Sequence, residues 1–261
     1  MSKIKVLNLY AGIGGNRKLW KNVDVTAVEI DENIAKVYQD HFPEDKVVIG
    51  DAHKYLLKHF KEFDFIWSSP PCPSHSQFRY RCGYRAGWYD DKPLFPDMKL
   101  YEEIIFLQYY FEGKWVVENV ESYYKPLIKP YFVQRHFFWS NFVIPNNTGF
   151  KKDDIRNRER KTIEEKQEQY GFDLTNSEGI EKRKVLNNCV DSKLGLYVFN
   201  CAYKDVQQTI VNPPTSKSKI LTLPKAKTIN MRDEASAMPS PKDASHPSHH
   251  PNIKSNKINL L

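Results

Sequence analysis

Short apolar runs alternate with helix-like segments along the first 145 residues of the chain. The runs have the length of strands and cover Ile4 to Tyr10, Val23 to Ile30, Val47 to Ile49, Asp64 to Trp67 and Trp115 to Val117. Helical patterns begin at Asn16, Glu32 and Tyr101. Because alternating strands and helices are typical of a mainly parallel sheet with helices on both faces, the sequence predicts an α/β fold.

The pattern changes along the chain and divides it into four segments. Residues 1–145 form the predicted α/β domain, whereas residues 146–184 are dense in nearly balanced charge and have little apolar periodicity. We expect this second segment to be a small insertion, with a solvated helix or loop as its simplest structure. Residues 185–204 are apolar again and are expected to return to the α/β domain, while residues 205–261 have the composition of a largely disordered tail.

Charge and cysteine content narrow the classes of function. The 261 residues carry 39 Lys+Arg against 32 Asp+Glu, and the net charge of +7 is compatible with a polyanionic partner such as nucleic acid. Four cysteines without a CxxC pair indicate neither a disulfide scaffold nor a cysteine-rich zinc site, so we expect no metal. The first apolar run is too short for a signal peptide and no run has the length of a membrane span, which predicts a cytoplasmic protein.

The loop Ser69-Pro70-Pro71-Cys72 follows the predicted strand that ends at Trp67. Two prolines end strand pairing and stiffen the loop, because proline lacks an N–H and has a fixed φ. Open α/β sheets place their ligands at the carboxyl ends of strands, so Cys72 is a candidate nucleophile. A buried and unreactive cysteine is the alternative that the loop alone leaves open.

Residues at the ends of the first three strands predict a nucleoside-bearing cofactor. The turn Gly12-Ile13-Gly14-Gly15 lets the backbone approach a ligand, although Arg17 replaces the third glycine of the dinucleotide fingerprint. Glu29 ends the second strand, where it can accept hydrogen bonds from ribose hydroxyls. Asp51 ends the third, where it can accept one from an adenine amino group. A tight turn with surface acids is the alternative.

Glu118 ends the strand that begins at Trp115. In a parallel sheet its carboxyl lies at the same edge as Cys72, and a cysteine with a nearby carboxylic acid suggests covalent catalysis with acid assistance. The alternative for Glu118 is an acid at a helix N-terminus, where the helix dipole favours it.

Arginines and aromatic residues interleave between Gln77 and Asp91. Arg79, Arg81 and Arg85 lie among tyrosines and a tryptophan, with glycines as hinges. This composition suits phosphate contacts and base stacking, so the arginines are candidate nucleic-acid contacts. An ordinary surface loop is the alternative.

Taken in order, these motifs resemble those of the DNA (cytosine-5) methyltransferases from about residue 4 to residue 204. The matching stretches are Leu9 to Gly15, Glu29-Ile30-Asp31, Gly50-Asp51, Ser69 to Ser76, Trp88 to Leu94, Val117 to Val120, and Asn187 to Val190 with Leu194-Gly195. The resemblance implies a Rossmann-like S-adenosylmethionine-dependent methyltransferase fold, with a mainly parallel sheet and a small inserted recognition segment at residues 146–184.

The resemblance also implies a reaction and the residues that carry it. Cys72 would attack C6 of a cytosine flipped out of double-stranded DNA, Glu118 would assist at N3, and Arg135 would assist at the cytosine carbonyl. S-adenosyl-L-methionine would supply the methyl group for C5. The residues implied for binding this cofactor are Tyr10, Gly12, Gly14, Gly15, Glu29, Ile30, Asp51, Pro70, Asn188 and Val190. The residues implied for contacting DNA are Ser76, Arg79, Arg81 and Arg85.

Three features depart from the family pattern. Pro73 stands where the family often has glutamine, and Gln134-Arg135-His136 matches only part of a Gln-x-Arg-x-Arg motif. Only about 50 residues separate Arg135 from the last motif, so we expect a small or partner-dependent module for target recognition.

Other functions stay open at the level of sequence. A tRNA cytosine-5 methyltransferase would use the same catalytic residues, and a catalytically silent DNA-binding relative would fit the altered Gln134-Arg135-His136. An amino methyltransferase acting on N4 of cytosine or N6 of adenine would carry an aromatic residue in place of Cys72. The expected partners are double-stranded DNA and a cognate restriction endonuclease, and we expect a monomer without membrane association in a bacterial or phage-infected cell.

Overall fold

The computed structural model describes residues 2–84, 94–149 and 161–203. Within these residues the strands are β1 (Ile4–Leu9), β2 (Val23–Glu29), β3 (Lys46–Ile49), β4 (Phe65–Ser68), β5 (Lys114–Val120), β6 (Tyr131–Val133) and β7 (His136–Ser140). They form one sheet in the order β3-β2-β1-β4-β5-β7-β6. Strands β1 to β5 are parallel, while β7 runs antiparallel to both β5 and β6. The predicted α/β fold with a mainly parallel sheet is confirmed.

Helices follow most of the parallel strands, as the sequence pattern predicts. The α-helices of the described residues are α1 (Glu32–His41), α2 (Ala52–His59), α3 (Lys99–Tyr110), α4 (Ile163–Tyr170), α5 (Lys182–Asn187) and α6 (Ser192–Cys201). A 3-10 turn spans Phe60–Glu62 and a π-helical turn spans Arg79–Tyr84. None of the helices in this part of the chain is long and apolar enough to cross a membrane.

Side chains from the two faces of the sheet pack into separate cores, because successive strand residues point in opposite directions. On one face, Val6 and Phe65 pack with Leu194 and Phe199 of α6. The opposite face is covered by α2 and α3, and its core includes Leu7, Leu9, Ile66, Leu56, Ile104 and Val117. Helix α6 of this last described segment therefore covers one face of the sheet.

The predicted helix beginning at Asn16 is wrong. Residues 12–19 form successive turns, with the N–H of Arg17 bonded to the carbonyl of Gly14 and the N–H of Trp20 bonded to the carbonyl of Arg17. The side chains are occupied in tertiary contacts: Arg17 pairs with the buried Asp45 at 2.8 Å, and Asn16 donates to Asn8 at 2.8 Å. These contacts fix the chain in turns where local pattern alone favours a helix.

The segment after residue 161 packs against the glycine turn and α1. Ile13 and Val37 share a buried cluster with Tyr170, Phe172 and Leu186. All described residues belong to one compact unit, Met1–Pro214. The predicted tail over residues 205–261 lies outside the described residues, and the role of residues 146–184 in target recognition stays a prediction.

Candidate active site

A cleft of about 1410 Å³ opens at the carboxyl edge of the sheet. In the sheet, β1 lies between β2 and β4, so the strand order reverses at β1. Open α/β sheets bind their ligands at such a switch point, beyond the carboxyl ends of the strands. The predicted site residues that line the cleft are Tyr10, Gly12, Gly15, Glu29, Ile30, Asp51, Pro70, Cys72, Ser76, Arg81, Glu118, Arg135, Asn188 and Val190. The fold thus brings the candidate nucleophile, acid and cofactor residues to one cavity.

Glu29 ties the glycine turn to the end of β2. Its Oε2 accepts a hydrogen bond from the Gly12 N–H at 2.8 Å, and its Oε1 accepts from the N–H groups of Ile30 and Asp31 at 2.9 and 3.1 Å. A carboxylate offers about four lone-pair positions, so one further hydrogen bond from a ligand hydroxyl can be accepted. The carboxylate is therefore held rigidly at the wall of the cleft.

Ile30 and Asp51 add an apolar surface and a second acid to the wall of the cleft. The Ile30 side chain is 71% exposed and lines the cleft, an arrangement that suits an aromatic ring of a ligand. Asp51 caps α2, and its Oδ1 accepts from the Lys54 N–H at 3.0 Å. This backbone hydrogen bond lowers the pKa of Asp51, so the carboxylate is charged at neutral pH.

The glycine turn makes close contacts on two sides. A Cβ added to Gly14 would lie 2.4 Å from a ring carbon of Phe42, and one added to Gly15 would lie 2.2 Å from the Cys189 Sγ. Gly15 therefore lets the turn approach the loop that holds Asn188 and Val190. Gly14 is absent from the described lining of the cleft and packs on α1, so its assignment as a cofactor contact stays a prediction.

The cysteine loop is fixed at both of its ends. At its start, the Ser69 N–H donates to the Leu9 carbonyl at 3.3 Å, and the buried Asn119 amide donates to the Pro70 carbonyl at 3.0 Å. Beyond Cys72, the Gln77 N–H donates to a carbonyl that follows β5. Cys72 itself is half-buried and lines the cleft. These bonds fix the backbone of the loop that carries Cys72 against β1 and β5.

A buried imidazole lies three residues beyond the cysteine. The N–H of His75 donates to the Cys72 carbonyl at 3.0 Å, and its Nδ1 lies 2.6 Å from the Tyr124 hydroxyl. Burial lowers the pKa of His75, so the ring is neutral at pH 7. The hydrogen bond from His75 thus closes the turn after Cys72 without placing a charged ring there.

Glu118 is 6% exposed and pairs with a residue that sequence reasoning did not single out. Its Oε1 lies 2.6 Å from the Nδ1 of His136. Arg135, the residue chosen from the partial motif, occupies the hairpin between β6 and β7 and lines the cleft. The structure therefore places His136 in contact with the candidate acid, while Arg135 lines the same cleft.

The candidate DNA contacts lie on the loop beyond the cysteine. Ser76 accepts a hydrogen bond from the Arg79 N–H at 3.2 Å and lines the cleft, as does the exposed Arg81. Arg79 lies in the π-helical turn and is absent from the described lining of the cleft. Arg85 lies outside the described residues. Their contacts with DNA stay predictions.

A buried carboxylate beneath the cleft was also not predicted. Glu103 of α3 is 0% exposed and accepts hydrogen bonds from the hydroxyls of Tyr10 and Ser68, both at 2.6 Å. The Nδ1 of His53 lies 3.0 Å from it. Burial and the nearby Glu103 raise the pKa of Tyr10, so its phenol stays protonated and donates. Glu103 thereby joins the ends of β1 and β4 with the start of α2.

The outer wall of the cleft contains residues from the segment that was predicted as an insertion. Gly179, Ile180, Glu181 and Lys184 line the cavity together with Asn188. The charge-dense sequence around them carries little periodicity, so no sequence signal indicated this placement.

Residues 4–127 match the family model described as C-5 cytosine-specific DNA methylase. This range, just under half of the chain, is similar to a C-5 cytosine-specific DNA methylase domain. The matched range includes the glycine turn, the cysteine loop and Glu118, and it confirms the family that the ordered motifs resemble.

Curated relatives include two methyltransferases from Bacillus or its phage and a tRNA methyltransferase. The chain is 33% identical to the orphan methyltransferase M.Rho11sI of Bacillus phage rho11s over 32% of its length, and 32% identical to the type II methyltransferase M.Bsp6I of Bacillus sp. (strain RFL6) over 34%. It is 27% identical over 58% of its length to a tRNA (cytosine(38)-C(5))-methyltransferase of Spodoptera frugiperda. The matches span 18%, 28% and 47% of these relatives, so the chain covers less than half of each.

The family and fold of the methylase domain imply S-adenosylmethionine as the methyl donor. The residues present fit such a group. Glu29 and the charged Asp51 are acceptors that suit ribose hydroxyls and an adenine amino group, and the exposed Ile30 adds an apolar surface to the same cleft. The glycine turn leaves backbone exposed to the same cavity.

Proposed function

We propose that this protein methylates C5 of a flipped-out cytosine in double-stranded DNA. The observation that carries the proposal is that Cys72 and Glu118 line one cleft, with the loop of the first hydrogen-bonded to the strand of the second through Asn119 and Pro70. A cysteine and a carboxyl held in this way suit covalent catalysis with acid assistance.

In the proposed reaction the Cys72 thiolate attacks C6 of the cytosine. Glu118 shares a proton with N3, which draws electron density from the ring and makes C6 electrophilic. The adduct has a nucleophilic C5, which takes the methyl group. Loss of the C5 proton to water and elimination of the Cys72 thiolate then restore the aromatic base and the free enzyme, and the N3 proton returns to Glu118. The covalent adduct divides one difficult step into easier ones.

S-adenosylmethionine supplies an electrophilic methyl group to this reaction when bound. Glu29, Ile30 and Asp51 would hold its nucleoside at the ends of β2 and β3, together with the glycine turn, Asn188 and Val190. Arg135 assists at the cytosine carbonyl from the β6–β7 hairpin. Ser76, Arg79, Arg81 and Arg85 contact the DNA backbone, whose phosphates attract arginine.

Transfer to tRNA is the second candidate. It is favoured by the similarity to a tRNA (cytosine(38)-C(5))-methyltransferase, which extends over 58% of the chain and further than the two DNA-enzyme matches. The match of residues 4–127 to the DNA methylase model favours DNA. The net charge of +7 is compatible with both.

Incubation with methyl-labelled S-adenosylmethionine separates these candidates. The protein is given duplex DNA or total tRNA, and the labelled nucleosides are analysed after digestion. We expect label in 5-methylcytosine of DNA, and none with the Cys72→Ser variant. Label in tRNA alone would establish the second candidate, and label on N4 of cytosine or N6 of adenine would contradict both.

A further inference from the structure

Glu118 and His136 form a nearly buried pair on adjacent antiparallel strands. The register pairs Glu118 with Phe138 and Val120 with His136, so Glu118 and His136 are diagonal neighbours on one face of the sheet. Their side chains are 7% and 13% exposed, and the distance from Oε1 to Nδ1 is 2.6 Å. The short distance and the burial indicate a strong, directed hydrogen bond.

The pair leaves one carboxyl oxygen for a ligand. Among the described residues, Glu118 makes no side-chain hydrogen bond except that to His136. Because Glu118 lines the cleft, Oε2 is the oxygen available to a bound base. With the shared proton on Oε2, Oε1 is a carbonyl-type oxygen that only accepts hydrogen bonds, so Nδ1 of His136 is the donor to Oε1.

The backbone that carries the imidazole is paired on both sides within the sheet. His136 pairs with Val120 of β5 and with Val133 of β6, and a two-residue hairpin joins β6 to β7. In that hairpin Gln134 has a φ of 57°, a left-handed conformation that is costly for a residue other than glycine, asparagine or aspartate. The N–H of Glu121 donates to the Arg135 carbonyl at 3.2 Å and fixes the hairpin against β5.

We infer that His136 is a positioning residue for Glu118. Its Nδ1–H binds Oε1, which fixes the carboxyl in one rotamer and leaves Oε2 to carry the proton that is shared with N3 of the cytosine. This assignment rests on the proposed function and gives a role to a residue of the hairpin other than Arg135. Without the imidazole, the Glu118 carboxyl can rotate away from the base, and the cytosine is then activated for attack less often.

Covalent trapping tests this role without measuring methyl transfer to ordinary DNA. The rate of adduct formation is measured with 5-fluorocytosine DNA and S-adenosylmethionine for the wild type, His136→Phe and His136→Asn. Phenylalanine removes the donor at similar size, whereas the asparagine amide offers an N–H near the position of Nδ1. We expect His136→Phe to slow adduct formation by about 100-fold, which is the lower end of the range for loss of acid assistance. His136→Asn should form the adduct at least about tenfold faster than His136→Phe. The KM for DNA changes little.

A second substrate separates positioning from a general structural defect. In 5-azacytosine the ring nitrogen at position 5 makes C6 more electrophilic, so attack depends less on proton sharing at N3. The defect of His136→Phe should therefore be smaller on 5-azacytosine DNA than on 5-fluorocytosine DNA. An equal defect on both substrates overturns the inference.

The chain offers a matched control at the surface. The Nδ1 of His59 lies 2.7 Å from Oε1 of Glu62, a pair of the same kind away from the cleft. His59→Phe should leave the adduct rate unchanged on both substrates. Equal rates for the wild type and His136→Phe overturn this inference alone, whereas absence of any adduct with the wild type overturns the proposed function and the inference with it.

Discussion

The amide of Asn119 donates a hydrogen bond to the carbonyl of Pro70 at 3.0 Å, and both groups are buried. This bond joins the cysteine loop to the strand that ends in Glu118 and Asn119. The separation of the candidate nucleophile from the candidate acid therefore depends on a contact between residues 49 positions apart in the sequence.

Asn119→Ala should lower both stability and the rate of adduct formation. It leaves the Pro70 carbonyl without its donor, which costs about 1–3 kcal/mol of unfolding free energy, and it frees the loop that carries Cys72. The check is denaturant unfolding together with trapping on 5-fluorocytosine DNA. Asn141→Ala is the control, because Asn141 bonds the Gly113 carbonyl at the opposite end of β5. It should lower stability without changing the adduct rate of the folded protein, and an equal loss of rate in both variants would contradict the assignment.

Glu103→Gln should destabilise the protein by about 1–3 kcal/mol. A glutamine carbonyl cannot accept from Tyr10, Ser68 and His53 together, and its NH₂ group needs an acceptor where two hydroxyls now donate. Thermal or denaturant unfolding measures the effect. Glu102→Gln is the control, since the Glu102 side chain is 60% exposed, and it should change stability by less than about 0.5 kcal/mol. Equal stability of the two variants would show that the buried contacts contribute nothing.

The contact between His53 and Glu103 should make stability fall with rising pH. The hydrogen bond to Glu103 raises the pKa of His53 above 6.5, so the folded protein holds this proton more tightly than the unfolded chain does. The stabilisation is complete below pH 6.5 and is lost as the pH rises through the raised pKa. The difference in unfolding free energy between the wild type and His53→Asn should therefore be largest near pH 6 and smaller at pH 9. A difference that grows with pH is the opposite of this expectation.

Gly15→Ala should be strongly destabilising because its new methyl group would lie 2.2 Å from the Cys189 Sγ and 2.4 Å from the Val190 carbonyl oxygen. Relief of this overlap must separate the glycine turn from the loop of Asn188 and Val190, at a cost of about 1–3 kcal/mol or more. Gly50→Ala has no atom within 4 Å of the added carbon and should be nearly neutral. Unfolding curves of both variants check this prediction. If Gly15→Ala left the unfolding free energy unchanged, the close contact between the two loops would be contradicted.

The parallel strands were predictable because each is a short apolar run with a polar loop at its carboxyl end. Cys72, Glu29 and Glu118 follow from the same rule, since strand ends meet at one edge. The helix expected from Asn16 was wrong because Arg17 and Asn16 bond to Asp45 and Asn8, contacts that the local pattern does not reveal.

The partners of these residues were harder to predict. Glu103 falls on the helical stripe of Leu100, Ile104 and Leu107, and an acid on an apolar stripe was the signal that could have revealed it. His136 reaches Glu118 only through the antiparallel register of β5 and β7. The register between these two strands is set by tertiary packing, so the resemblance to the family motif indicated Arg135 and not its neighbour.

Covalent trapping by Cys72 tests the central claim most directly. The wild type and Cys72→Ser are incubated with S-adenosylmethionine and duplex DNA that contains 5-fluorocytosine, and complexes that survive denaturation are counted. The fluorine prevents loss of a proton from C5, so the methylated adduct cannot eliminate. We expect a covalent complex with the wild type and none with Cys72→Ser. A complex of equal yield with Cys72→Ser would contradict the assignment of Cys72 as the nucleophile.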